Sequence, residues 1–216
     1  MDTAHLPTRE IPTVFHVGSL DPARKNLRSY EGAGLSISLD PNEWSAIARL
    51  GSRVWRLERP GARFLDALAL HPSQRGAIEQ WGLDLGWVDR VPAWRLTYFD
   101  EELGEDVYSL YADHATALTE ATALDGTTPT VVELTSALVA TDAFDDLTVT
   151  AGDLVIENPL IAAWVERCVP ELEGVWWEYD RRPEVLSCPC GVIGVTRLAH
   201  WTAAETTLAD ASLLAV

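Results

Sequence analysis

Three short stretches of this 216-residue chain combine residue types that can do chemistry. Phe15-His16-Val17-Gly18-Ser19 offers an imidazole near a glycine. Gly34-Leu35-Ser36-Ile37-Ser38 offers two hydroxyls two residues apart, and Gly174-Val175-Trp176-Trp177-Glu178 offers a carboxylate directly after two indoles. A carboxylate stabilises a cation developing at a reacting carbon most strongly where water is excluded. Trp176 and Trp177 could supply that wall and a stacking face. An imidazole and hydroxyls on neighbouring strands can hydrogen-bond a bound molecule and hold it in one reactive conformation. Between the first two stretches lies a loop with Arg24, Lys25 and Arg28, the densest basic run in the chain, and arginine pairs with phosphate in bidentate fashion.

Other chemistries are poorly supplied. The sequence has no GxGxxG, GxxxxGK[ST], HExxH, GxSxG or EF-hand pattern, so the common nucleotide, hydrolase and calcium signatures do not apply. Cys168, Cys188, Cys190 and His200 would make a Cys₃His set, but the Cys188-Pro-Cys190 gap is too short for a usual zinc knuckle, which spaces its ligands by two to four residues. No metal is expected, and the thiols read as small, free, buried or half-buried groups. No serine sits in a strained turn that would expose a nucleophile, and neither Cys168 nor Cys188 has a setting that would lower a thiol pKa.

The three stretches need strands to hold them. Thr13–Val17 is β-branched and aromatic and ends at Gly18; Leu35–Leu39 alternates apolar and hydroxyl residues with period two, so Ser36 and Ser38 share a face. Asp40-Pro41 starts a helix running to Leu50, with Asp40 as cap and Pro41 at the first helical position. Further strands are expected at 54–57, 64–67, 94–99, 107–111, 130–134, 147–150, 175–177 and 192–195. Helices are expected at 72–85, 112–124 and 159–168. The acidic turn 100–106 contains Gly104 and suits a hairpin between two aromatic strands. Strands outnumber helices and do not alternate strictly with them, so the fold class is α+β. Residues 1–12, with Pro7 and Pro12, read as an N-terminal arm, 13–205 as a single domain, and 206–216 as a C-terminal tail.

Composition narrows the partners. A hydrophobic fraction of 47% with 23% charged residues is enough to bury a core. The net charge of −17 excludes broad attraction to nucleic-acid backbones or anionic membranes. No run is apolar enough to span a bilayer, no secretory leader opens the chain, and three cysteines fit a reducing compartment, so a cytoplasmic protein is expected.

In residue type and order the three stretches resemble the ADP-ribosyltransferase superfamily, in its histidine-containing, diphtheria-toxin-like branch. There a histidine strand, a strand with spaced hydroxyls, a helix and a late strand with the catalytic glutamate follow one another. The resemblance covers roughly the first 60 residues and the segment around Glu178. It implies a mixed, strand-rich split sheet flanked by short helices, with NAD as the substrate. Glu178 would be the catalytic carboxylate near the ribose, with Glu173 and Glu171 as alternatives. His16, Gly18, Ser36, Ser38, Arg28, Tyr30 and Trp177 would bind NAD. Val17 departs from the pattern, because the family often has glycine directly after the histidine, and Tyr30 is only a candidate for the family's middle tyrosine. The implied reaction cleaves the nicotinamide–ribose bond and passes ADP-ribose to a macromolecular acceptor, protein rather than nucleic acid. A toxin or phage-conflict role follows from the same likeness, with a cognate antitoxin or inhibitor as partner and no membrane involvement.

Each group also has a structural role open to it: His16 as a hydrogen-bonded core histidine, the serines as the polar face of an edge strand, the tryptophans as core, Glu178 as a strand terminus. The alternative function is a non-enzymatic acidic binding protein or nucleic-acid mimic that inhibits a basic partner. Against that alternative, the acidic residues look dispersed along the chain, the longest cluster being Asp100 to Asp106.

Overall fold

The computed structural model describes residues 5–21, 32–39, 53–101, 104–124, 130–144, 146, 148–154, 156–177 and 190–207. Among these, eleven strands and three α-helices form an α+β fold. The basic loop residues Arg24, Lys25, Arg28 and Tyr30, the helix expected over 40–50, Glu178 and Cys188 lie outside the described residues.

Contacts divide the chain into two compact units within the span read from sequence as one domain: residues 1–80, 146–148 and 157–216, and residues 81–145 and 149–156. The first unit holds all three chemical stretches. Its larger sheet has five strands in the order β1 (Thr8–Glu10), β5 (Arg63–Asp66), β9 (Gly174–Trp176), β10 (Gly191–Ile193), β3 (Leu35–Ile37). The sheet is mixed: β5 and β9 run parallel, and every other pairing is antiparallel. A second sheet has three strands, β11 (Thr202–Thr206), β4 (Val54–Glu58) and β2 (Thr13–Val17). One apolar cluster draws on both sheets, with Val14 and Leu57 from the smaller and Leu35, Ile37, Phe64, Trp176 and Ile193 from the larger. The alternation in LSI explains the assignment: Leu35 and Ile37 point into this cluster and Ser36 points away.

Helix α3 (Glu157–Cys168) packs on β9 and buries Leu160, Ile161, Trp164 and Val165. Strands β9 and β10 approach closely because glycine lies on both: a Cβ on Gly191 would stand 2.6 Å from Val175 O and 2.7 Å from Trp176 Cε3. The second unit is a sheet of β7 (Glu105–Tyr111), β6 (Val88–Asp100) and β8 (Thr130–Ala140), with α2 (His114–Ala123) packed on it. Asp113 caps α2, accepting a hydrogen bond from Thr116 N at 2.8 Å. Helix α1 (Pro72–Asp84) begins at the expected proline.

Most expected elements form, with bounds shifted by a few residues. Three differences have physical causes. The arm contains β1, made a strand by its pairing with β5 rather than by its own residues. Likewise β11, TAAET, has little β-propensity and owes its form to β4. No strand forms over the described residues of 147–150, because Asp146 accepts from both Thr148 N (2.7 Å) and Thr148 Oγ1 (2.5 Å) and turns the chain. No helix among the described residues is long and apolar enough to cross a membrane.

Candidate functional site

Strands β3, β5 and β9 run in the same sense, so their C-terminal ends share one edge of the larger sheet. That edge gathers Ser38 after β3, Asp66 and Ala67 at the end of β5, and Trp177 after β9, the residue immediately before Glu178. The ladder continues past the named strands: Cys190 N donates to Ile37 O at 2.9 Å, and Trp177 N donates to Cys190 O. Ser38 and Trp177 are thereby set on either side of Cys190 along one row. Both are buried, Ser38 fully and Trp177 to 2% exposure. Trp177 makes no stacking surface open to solvent at that exposure, but its indole Nε1 is buried without a hydrogen-bond partner. Buried indole N–H groups ordinarily find an acceptor, so an unpaired one calls for an explanation.

His16 sits on β2, which joins β3 through the pair Phe15 and Ser38. Its Nδ1 lies 2.7 Å from Ser36 O and its Nε2 lies 2.9 Å from Ser19 O. The imidazole therefore bridges the serine strand and the loop that follows Gly18. Burial pushes its pKa below the usual histidine value, while both backbone hydrogen bonds pull the other way. A neutral ring has one N–H and can donate to only one of the two carbonyls at a time; the imidazolium would donate to both. Gly18 has φ +132°, a conformation that favours glycine, and a Cβ there would stand 3.3 Å from His16 Nε2. Its carbonyl accepts from Trp55 Nε1 at 3.0 Å, which fixes the turn beside the histidine.

The structure thus brings together His16, Gly18, Ser36 and Ser38 around the β2–β3 junction, and Ser38 with Trp177 along the sheet edge. Arg28, Tyr30 and Glu178 fall outside the described residues. Glu173, an alternative carboxylate, belongs to the opposite end of β9, about 13 Å of extended chain from Trp177. It is buried, and its Oε2 receives Arg59 Nη1 at 2.9 Å, Trp201 Nε1 at 3.2 Å and His200 Nδ1 at 3.4 Å. That set reads as a structural ion cluster, and it engages the His200 of the sequence's cysteine–histidine set. Glu171, the other alternative, is exposed in the turn before β9. Among the described residues no group of three or more His, Cys, Asp and Glu is placed to hold a metal ion. Cys168 is exposed and Cys190 is buried, both free thiols; partial burial pushes the Cys168 thiol up, against the nearby Arg167 charge.

Asp66 was not singled out from the sequence, although it is a buried carboxylate at the same edge. Arg9 Nε meets its Oδ2 at 2.6 Å, and its Oδ1 accepts from Ala69 N at 3.3 Å. Nothing in RFLD marks that aspartate as inward; only the pairing of β1 with β5 brings Arg9 to it. Asp146 was also missed. It accepts from Ala33 N at 2.9 Å and so anchors the chain just ahead of β3. No family model, curated protein or solved structure matches this chain.

Proposed function

We propose that this chain is an NAD-dependent ADP-ribosyltransferase that cleaves the nicotinamide–ribose bond and transfers ADP-ribose to a macromolecular acceptor, a protein in preference to a nucleic acid. The observation that carries the reading is the convergence of Ser38 and Trp177 on one sheet edge, one residue before Glu178, with the His16 imidazole tied to the adjacent serine strand. The mixed larger sheet, joined to a smaller one through Phe15 and Ser38, supports it as well.

In this mechanism the bond from ribose to nicotinamide breaks with its electron pair leaving on the nicotinamide. The Glu178 carboxylate stands by the ribose hydroxyls and the cationic carbon, where a fixed negative charge is worth most. The acceptor nucleophile attacks that carbon and gives up its proton. Trp177, buried to 2% exposure, excludes water from the edge. Ser36 and Ser38 supply hydroxyls, Arg28 pairs with the pyrophosphate, and Tyr30 stands as the middle tyrosine. His16 and Gly18 set the geometry of the β2–β3 junction that presents these groups. A toxin or conflict role in a cytoplasm, held in check by a cognate inhibitor, is the biological setting that the resemblance suggests.

The test is incubation of the full chain with NAD labelled on its adenylate part and a cell lysate. Label on protein, absent with Glu178→Gln, is the expected result. Label neither on a macromolecule nor released as free ADP-ribose overturns the proposal.

A further inference from the structure

The second unit holds 14 Asp and Glu against two cations, Arg90 and Arg95, a net charge of −12 out of the chain's −17. The acidic character is therefore concentrated in one unit, which corrects the reading of acidic residues dispersed along the chain. Within that unit the sheet has two unlike faces. Helix α2 packs on part of one: Leu96 is buried there, Ala117 is fully buried beneath the helix, and Trp94 meets His114 with ring centroids 4.0 Å apart, while Leu134 opposite Trp94 stays exposed. The other face carries the cross-strand row Tyr108–Thr97–Val131 with Phe99 beside it. These are large side chains in the open: Tyr108 is 62% exposed, Val131 55% and Phe99 42%. An antiparallel sheet normally turns polar residues to solvent on its free face, so an aromatic and aliphatic row there marks an interaction surface.

The charge around the row selects the partner. Arg95, the cation on this face, is already engaged, ion-paired with Glu133 across the sheet and 6.0 Å over the Tyr108 ring. At the hairpin end Asp106 stands opposite Phe99 on this face, and Asp100, Glu101 and Glu105 lie in and beside the adjoining turn. Negative charge at one end of an apolar row, with the cation beside it already paired, attracts a positively charged partner and repels like charge. Nucleic acids and anionic membranes are excluded on that ground, and a second copy would bring −12 against −12.

We propose that the open face of this sheet is a docking surface for a basic protein, one presenting Lys and Arg around an apolar centre. The inference stands apart from the transferase reading, since it uses no residue of the first unit. The probe is a fluorescent synthetic peptide of alternating Lys and Phe, titrated into the full chain, with a Glu–Phe peptide as control. The Lys–Phe peptide is expected to bind and the Glu–Phe peptide not. Joint replacement Tyr108→Ser and Val131→Ser should weaken binding by at least about tenfold, as loss of central anchors does, with the melting temperature nearly unchanged because both side chains are exposed. Three results overturn the proposal: no binding of the Lys–Phe peptide; equal binding by the double variant, which would mean general polycation attraction; or a wild-type dimer in sedimentation that the double variant dissolves, which would assign the face to a second copy.

Discussion

Phe15 and Ser38 exchange two backbone hydrogen bonds, Phe15 N to Ser38 O at 2.9 Å and Ser38 N to Phe15 O at 3.0 Å. This antiparallel bridge lies at the junction of the strand that carries His16 and the strand that carries Ser36. Because residues next to a bridge are held in register, the imidazole reaches the Ser36 carbonyl without help from any flexible segment. The same junction sets Ser38 at the sheet edge shared with Trp177, so the histidine, the hydroxyls and the indole are positioned by backbone hydrogen bonds.

Two glutamates on either side of β9 should respond oppositely to loss of charge. Glu178→Gln should leave the melting temperature nearly unchanged while cutting NAD turnover by about 10²–10³-fold, as loss of a transition-state group does. Glu173→Gln should leave turnover per folded molecule intact but destabilise the fold by about 1–3 kcal/mol, because Arg59, Trp201 and His200 lose a charged acceptor. Thermal melts and label-release assays on the two variants check both. Wild-type turnover in Glu178→Gln would falsify the assignment of the carboxylate.

Truncating His16 removes the one N–H that a neutral ring donates to Ser36 O or Ser19 O, and leaves that backbone carbonyl without its side-chain donor. His16→Ala is expected to cost about 1–3 kcal/mol of stability for that reason. An NAD titration on the same variant separates structure from ligand contact. Weakened NAD binding with an unchanged melting temperature would show that the imidazole serves the ligand and not the junction.

Stability should depend on acid through this same residue. The folded-state pKa of His16 lies below its unfolded value, chiefly through burial. The unfolded chain therefore takes up a proton first as pH falls. The stabilising contribution is complete above the unfolded value of about 6.5, and is lost progressively as pH drops from there toward the folded value. Denaturant melts between neutral pH and pH 5 should show a decline that His16→Gln reduces. Identical pH profiles for the two proteins would remove His16 as the cause.

Gly191→Ala should separate the two strands that set the edge. Its Cβ would stand 2.6 Å from Val175 O, a backbone atom that cannot move alone. A cost of about 1–3 kcal/mol is expected from this overpacking. Tryptophan fluorescence should shift as well, since Trp176 touches the same site; an unshifted spectrum with wild-type stability would contradict the close approach.

Dialysis against a chelator should change neither the melting temperature nor NAD turnover. One equivalent of zinc in the purified protein, found by elemental analysis, would bring the Cys168, Cys188, Cys190 and His200 set back into contention.

The sequence by itself determined the local elements, because their causes are local. Period-two alternation in LSISL and β-branched residues in TVFHV make strands wherever those segments pack, and Pro72 marks a helix start through the φ of proline. It also settled the overall negative charge. What no local pattern carries is pairing. That Arg9 would neutralise Asp66, that Glu173 would sit in a cluster with Arg59, His200 and Trp201, and that TAAET would be a strand all follow from contacts between residues far apart in the chain. The charge differs. The gathering of negative charge over residues 81–156 can be counted in the sequence, but only the tertiary structure sets it beside an exposed apolar row on a sheet face. Hydrogen-bond partners and burial are properties of the tertiary structure, so the chemical meaning of a glutamate or a histidine is decided there.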